Sequence, residues 1–394
     1  MAVAEAVTRK PIPFDAKQLD KLLDDAGIDV LVATSKHNVQ YLLGGYRFFF
    51  FDTMDAIGVS RYLPAVVYQK GKPENAAYIG CAMESYEQEL GKFWPSSLDL
   101  GVTGSKDTMQ RVADHIKKLG GVRRIGVESG FLPADGEATL RQNLSNSDVV
   151  DAVFPLERLR LRKTPEEVDY LREASERVVD SMLTVFKQAA PGMSKLELTE
   201  ALRREEVNRG LVFDYCLITA GSSLNRAPSE QRIQAGDIMS LDSGGNYKGY
   251  IGDLCRMAIL GGKPDSELVD LLGFVEEVQQ AVRGPVKPGG RGGDIIDAAE
   301  RLVQASPHKA YVHFMAHGMG LVSHEGPRLA DYKRMSYMGY DKDRPLEPGM
   351  CISIETTMSH PKRGFIKLED TVLVTKDGYE ALGDGGRGWN KAGK

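Results

Sequence analysis

Apolar positions recur along this chain in two rhythms, and the change of rhythm marks its elements. From Phe14 to Gly27, Leu19, Leu22 and Leu23 share one helical face and a glycine ends the run, so a helix opens the fold. The block from Ile28 to Ala33 predicts a buried strand, followed by a turn-rich Ser35 to Asn38. Four consecutive phenylalanines, Phe48 to Phe51, predict a strand buried on both faces. Their competing reading is an aromatic wall between Arg47 and Asp52. Strands near Ala65 to Tyr68, Ala76 to Ile79 and Arg124 to Val127, with a helix near Asp107 to Leu119, predict a small α/β domain.

Beyond Val150 the text turns basic and irregular as far as Lys163, and a strong helix start follows. Thr164 is placed as N-cap, Pro165 at the first helical position, and Glu166 and Glu167 against the helix dipole. The domain boundary is therefore expected just before it, giving domains 1–158 and 159–394. Ser194 and Glu197 form a capping box for a second helix that runs to Gly210. Strands are expected from Phe213 to Thr219 and from Asp237 to Leu260, then helices from Ser266 to Val282 and Asp294 to Ala305. Antiparallel strands near Met350 to Ile354 and Phe365 to Thr375 complete an α+β second domain.

Composition narrows the function. Fifty basic against fifty-five acidic residues in 394 give a formal charge of −5, which offers no case for nucleic acid or an anionic membrane as partner. No apolar run is long enough to span a bilayer, and neither a Walker loop nor a Rossmann glycine fingerprint occurs. Four cysteines scattered singly in apolar stretches suit reduced, packed thiols. The first residues lack a secretory pattern, so a cytoplasmic location is expected.

The stretch from Leu241 to Arg256, LDSGGNYKGYIGDLCR, sets Asp242 and Asp253 at the edges of apolar runs with glycines between them. An antiparallel return would aim both carboxylates into one pocket, and buried carboxylates need a counter-charge. Later segments bring His313, His317 and His324, then Glu355, then Glu369 with Asp370. Singly, each has a bland reading: a histidine beside glycines is more often a hydrogen-bonded turn residue, and a strand glutamate usually faces water. Apolar neighbours around Glu355 and Glu369 weigh against that reading, since buried acids are costly alone.

The ordered set Asp242, Asp253, His317, Glu355 and Glu369, in GDIMSLDSGG with GYIGDLCR, HGMGLVSHEGP, LEPGMCISIE and KLEDTVLVT, resembles the pita-bread metalloenzymes. That family includes methionine aminopeptidase, prolidase, Xaa-Pro aminopeptidase and creatinase. The resemblance implies an α/β N-terminal domain of the creatinase/prolidase kind followed by an α+β pita-bread catalytic domain, commonly as a homodimer. It also implies two divalent ions held by those five residues, with Asp253 and Glu369 bridging. Four carboxylates and one imidazole form a hard site suited to Mn, Co, Fe or Zn, and two such ions can acidify a shared water. His324 matches a histidine that faces the reacting substrate, and His313 a second pocket histidine.

Departures from the family pattern matter too. The loop AGSSLNRAPSEQR lacks a histidine usual there, Phe314, Met315 and Ala316 are bulkier than the common small run, and Thr356 and Thr357 follow Glu355 where proline is common. These features point to a narrowed pocket and a specialised substrate of dipeptide size or smaller. Arg47, Phe50, Asp52 and Arg328 are candidates for recognising it. The leading function is metal-dependent hydrolysis of a C–N bond, as in Xaa-Pro peptides. Its competitors are a lyase of the dimethylsulfoniopropionate-cleaving type, a metal-free creatinase-like amidinohydrolase and a non-catalytic binding module. The lyase branch carries an extra aspartate where Gly244 stands here.

Overall fold

The computed structural model describes residues 10–53, 62–332 and 338–393, at 52 and 53 by their backbone alone. The chain divides into two compact units, residues 1–159 and 160–394.

In the first unit, Asp15 accepts a hydrogen bond from the Gln18 N–H and so starts α1 (Ala16–Asp25), which buries Leu19 and Leu23. After β1 (Val30–Ala33) the expected turn at Ser35 is instead an N-cap. The Ser35 hydroxyl accepts from the Asn38 N–H and opens α2 (Lys36–Leu42), so the polar residues that suggested a turn are the helix signal.

The phenylalanine run is a second correction. It forms a 3-10 turn, Phe49–Thr53, not a strand. Its three-residue period puts Phe48 and Phe51 on the buried side and leaves Phe49 66% exposed. Phe50 is half-buried and stacks on Tyr62 with ring centroids 4.9 Å apart.

There follow β2 (Ala65–Gln69), β3 (Ala77–Cys81), α3 (Ser85–Glu89), β4 (Ser97–Val102) and α4 (Ser105–Leu119), then β5 (Arg124–Val127) and α5 (Ala134–Asn143). The stretch expected to be irregular holds β6 (Asp148–Asp151) and α6 (Val153–Leu159). The six strands form one mixed sheet in the order β4-β3-β2-β1-β5-β6.

The second unit opens with α7 (Pro165–Gln188), started by the expected N-cap Thr164, which Glu167 turns into a capping box, and α8 (Lys195–Asn208), started by the expected capping box. Next come β7 (Val212–Ala220), β8 (Ile238–Tyr247), β9 (Tyr250–Leu260), α9 (Ser266–Arg283), α10 (Gly293–Ala305) and β10 (Val312–Gly318). The last elements are β11 (Cys351–His360), β12 (Gly364–Val374), β13 (Tyr379–Leu382) and β14 (Asn390–Ala392). The sheet runs β10-β11-β12-β9-β8-β7, with β13 on β12 and β14 on β9.

Strand alternation decides what this sheet presents on each face. Leu241 and Leu254 pack with α7 and α8, and Ile354 and Leu368 with α9, so the helices cover one face. The approach of α7 is close: a Cβ on Gly252 would lie 2.7 Å from the backbone of Ala174 and Ser175. Asp242, Asp253, His317, Glu355 and Glu369 have the opposite parity and share the other face.

On the helix side, the Ser243 hydroxyl donates to Glu206 Oε1 at 2.8 Å, while Oε2 has no hydrogen-bond partner. Burial pushes the Glu206 carboxyl up to about 8, against the pull of that hydrogen bond and helped by the charge of Asp214. The folded protein therefore holds this proton more tightly than the unfolded chain, whose glutamate titrates near 4.3. The resulting stability is complete below that value and is lost as pH rises toward about 8, at no more than ~1.4 kcal/mol per pH unit. Glu206→Gln should accordingly flatten the pH profile. Denaturant midpoints should differ little at pH 5 and favour the variant at pH 8.5, and a parallel pair of profiles would contradict the assignment.

Candidate metal centre

Register brings the five predicted ligands together. In the β8-β9 hairpin Asp242 lies opposite Cys255 and Asp253 opposite Gly244. Glu369 pairs with Cys255 on one side and with Glu355 on the other, and His317 lies opposite Ser353. All five side chains are buried, His317 completely.

The geometry fits a cation at one end of the cluster. Asp253, His317 and Glu369 each offer a ligand atom, and these atoms lie within 4.8 Å of one another. His317 Nδ1 donates to the Gly318 carbonyl at 3.2 Å, which turns Nε2 inward, 3.8 Å from Oε1 of both Glu355 and Glu369. That nitrogen is buried without a hydrogen-bond partner. Ser323 donates to Asp253 Oδ2 at 2.9 Å, and the Tyr215 phenol lies against the same carboxylate, yet Oδ1 lacks a well-aligned bond. A buried ring nitrogen without a partner that faces two carboxylates suits a metal better than a closed hydrogen-bond network.

The other end holds cations of the protein's own, which the sequence reading missed. Lys367 Nζ sits 2.7 Å from Asp242 Oδ2, 2.6 Å from Glu355 Oε2 and 2.7 Å from Glu369 Oε2. Two residues before Glu369 on β12, it shares that residue's face, and this spacing was the available signal. The loop expected to lack a substrate-handling group supplies Arg226, whose guanidinium pairs with Asp242 and lies over the Phe365 ring at 5.0 Å. Its carbonyl accepts from the Ile218 N–H, which ties the loop to β7.

Charge crowding shapes the group. Burial and the Asp242 charge raise Asp253, and burial with Asp253 and Glu355 raises Glu369, with Lys367 opposing both. Burial works against the Lys367 ammonium, but Asp242, Glu355 and Glu369 outweigh it and keep it charged.

Asp370 belongs elsewhere. It alternates to the helix face, where Arg256 at 2.9 Å, Arg283 at 3.2 Å and Arg387 surround it.

His324 stacks on His317 with centroids 3.8 Å apart, held by a backbone φ of 101°. Burial, then the neighbouring His317 ring, lowers it to about 4, so its ring is neutral near neutral pH. His313 is exposed, on the same face of β10 as His317 but four residues away along the strand. Of the three residues expected to narrow the pocket, Phe314 and Ala316 alternate into the core under the sheet, and Met315 shares the strand face of His317. Arg328 is half-buried, its N–H donates to Asp341 Oδ2 at 2.8 Å, and its charge reaches His324. Arg47 and Phe50 belong to the first unit, and the Asp52 side chain lies outside the described residues. Gly244 leaves no room for a further acid, since a Cβ there would meet the Tyr215 ring at 2.4 Å.

Comparison with known proteins agrees with this picture. Residues 169–376 match the model of metallopeptidase family M24, and residues 16–162 that of the creatinase/prolidase N-terminal domain. An uncharacterized peptidase of Bacillus subtilis is 26% identical over 374 residues, covering 93% of this chain and 96% of the relative. The Xaa-Pro dipeptidase of Pyrococcus horikoshii is 23% identical over 382 residues, covering 93% and 95%. In fold, the chain is similar to the Xaa-Pro dipeptidase from Bacillus anthracis, with a TM-score of 0.80, 22% identity and coverage of 95% and 98%.

Proposed function

The chain belongs to metallopeptidase family M24, and we propose that it hydrolyses a C–N bond in a dipeptide-sized substrate of the Xaa-Pro class with divalent metal. The observation that supports this most is the meeting of Asp242, Asp253, His317, Glu355 and Glu369 on one sheet face. A bound divalent ion supplies Lewis acidity toward a carbonyl and lowers the pKa of water. The resemblance implies two such ions, manganese among the usable metals. Asp253, His317 and Glu369 would hold one, with Glu355 beside them. His324, neutral and stacked on His317, offers a hydrogen bond to the reacting carbonyl oxygen or the leaving nitrogen. Arg226, about one-third exposed, provides a positive edge at the mouth for the substrate's carboxylate.

A homodimer in a reducing cytoplasm belongs to the same reading, and the four buried free cysteines support that compartment. Among the described residues no helix is long and apolar enough to cross a membrane.

The test is direct. Protein stripped by a chelator and then resupplied with Mn or Co should cleave Xaa-Pro dipeptides only after resupply, with products read by mass spectrometry. Creatine-like amidines and sulfonium acids run alongside, and turnover of those alone would replace the peptidase reading. His324→Ala should slow turnover about 10²- to 10³-fold while leaving metal content unchanged. An equal loss of both would make His324 a ligand instead.

A further inference from the structure

Resting on the metal-dependent reading above, we infer that the Lys367 ammonium takes the place of a second metal ion, so that the centre binds one divalent ion per chain. The argument is geometric. Lys367 Nζ lies 2.6–2.7 Å from oxygens of Asp242, Glu355 and Glu369, carried by three different strands, and its side chain is 3% exposed. The ammonium holds one oxygen of each of these three carboxylates, Arg226 shares the Asp242 oxygen, and the Ser353 hydroxyl donates to the second oxygen of Glu369 at 2.8 Å, so Asp242 and Glu369 offer a second ion little at this end. Of the ligand atoms left over, His317 Nε2 faces Oε1 of Glu355 and Glu369, not the Oε2 atoms that Lys367 holds, and Asp253 offers a ligand atom in the same small group.

Lys367 is fixed in this position by more than its ion pairs. Thr357 lies opposite it on β11, and its backbone N–H donates to Met257 Sδ at 3.4 Å. Its neighbours Ile366 and Leu368 are locked in the core beneath the sheet, so the stem points only toward the acids.

The decisive measurement is metal stoichiometry, with no substrate present. Full-length protein, stripped and titrated with Mn(II), should saturate at one tightly bound ion per chain and give the six-line electron paramagnetic resonance spectrum of an isolated ion. Lys367→Met should raise the count to two and produce the spectrum of an exchange-coupled pair. Lys367→Arg, which keeps a cation in place, should stay at one and serves if the methionine variant does not fold. Two ions in the unaltered protein, or a Lys367→Met count that stays at one, would overturn the inference while leaving metal dependence intact. No ion bound at millimolar Mn(II) would instead overturn the metal-dependent reading itself.

Discussion

Asp253→Asn should reduce kcat/KM by at least about 10³-fold, the scale on which a single electrostatic group in an active site counts. Asp253 lies in the candidate cation pocket: its ligand atom belongs to the same small group as His317 and Glu369, and its Oδ2 already accepts from Ser323. An amide of equal size keeps the packing but offers a neutral, weaker ligand, so bound metal should fall with activity. The same change should stabilise the metal-free protein. Burial and the neighbouring Asp242 already oppose the Asp253 charge, so removing it relieves repulsion that only a cation otherwise answers. Melting curves should therefore show stripped Asp253→Asn unfolding above stripped wild type, with no further gain on adding Mn, whereas wild type gains by mass action. The first unit has its own core and should melt as before. Retained turnover, or a stripped variant less stable than the stripped parent, would remove Asp253 from the role given to it.

The legible part of this molecule was the part written in short-range rules. The N-cap at Thr164 and the capping box at Ser194 marked two helix starts because their hydrogen bonds span three residues. The period-two pattern around Glu355 and Glu369 placed both on one face for the same reason. Failures arose where local signals were shared by two structures. Ser35 reads equally as turn or cap, and the Phe48 to Phe51 run has no polar position to reveal a three-residue period. Within the site, the acids and His317 were legible as candidate ligands, whereas a cation that three of the acids also meet, two residues before Glu369, was not. Lys367 was hidden by habit: lysine is read as a solvated residue unless something pulls it inward, and three acids do. Arg226 had no sequence signal, since only the path of its loop from β7 brings it to Asp242.

Glu325→Gln should cost about 3–5 kcal/mol, because it takes a carboxylate charge away from two buried cations. Lys163 Nζ lies 2.8 Å from Glu325 Oε1 and Arg160 Nη2 lies 2.9 Å from Oε2, with all three side chains no more than 4% exposed. Burial alone would raise this carboxyl, but Lys163 and then Arg160 overcome it and hold it below the usual range. The sign follows: the folded state releases this proton more readily than the unfolded chain, so the stabilisation is present above about pH 4.3 and disappears as pH falls through the lower folded value. Wild type should lose stability on acidification more steeply than the variant, and at pH 7 the variant's melting point should fall by roughly 6–20 °C. The substitution also reaches the chemistry. Glu325 N–H donates to the Gly318 carbonyl at 3.2 Å, so the triad holds the turn from which His324 is laid against His317. Activity measured at 15 °C, where the variant remains folded, should therefore still be reduced about tenfold or more, the scale of a displaced supporting group. Full activity there, together with an unchanged melting point, would mean that Lys163 and Arg160 have other partners and that the His324 turn supports itself.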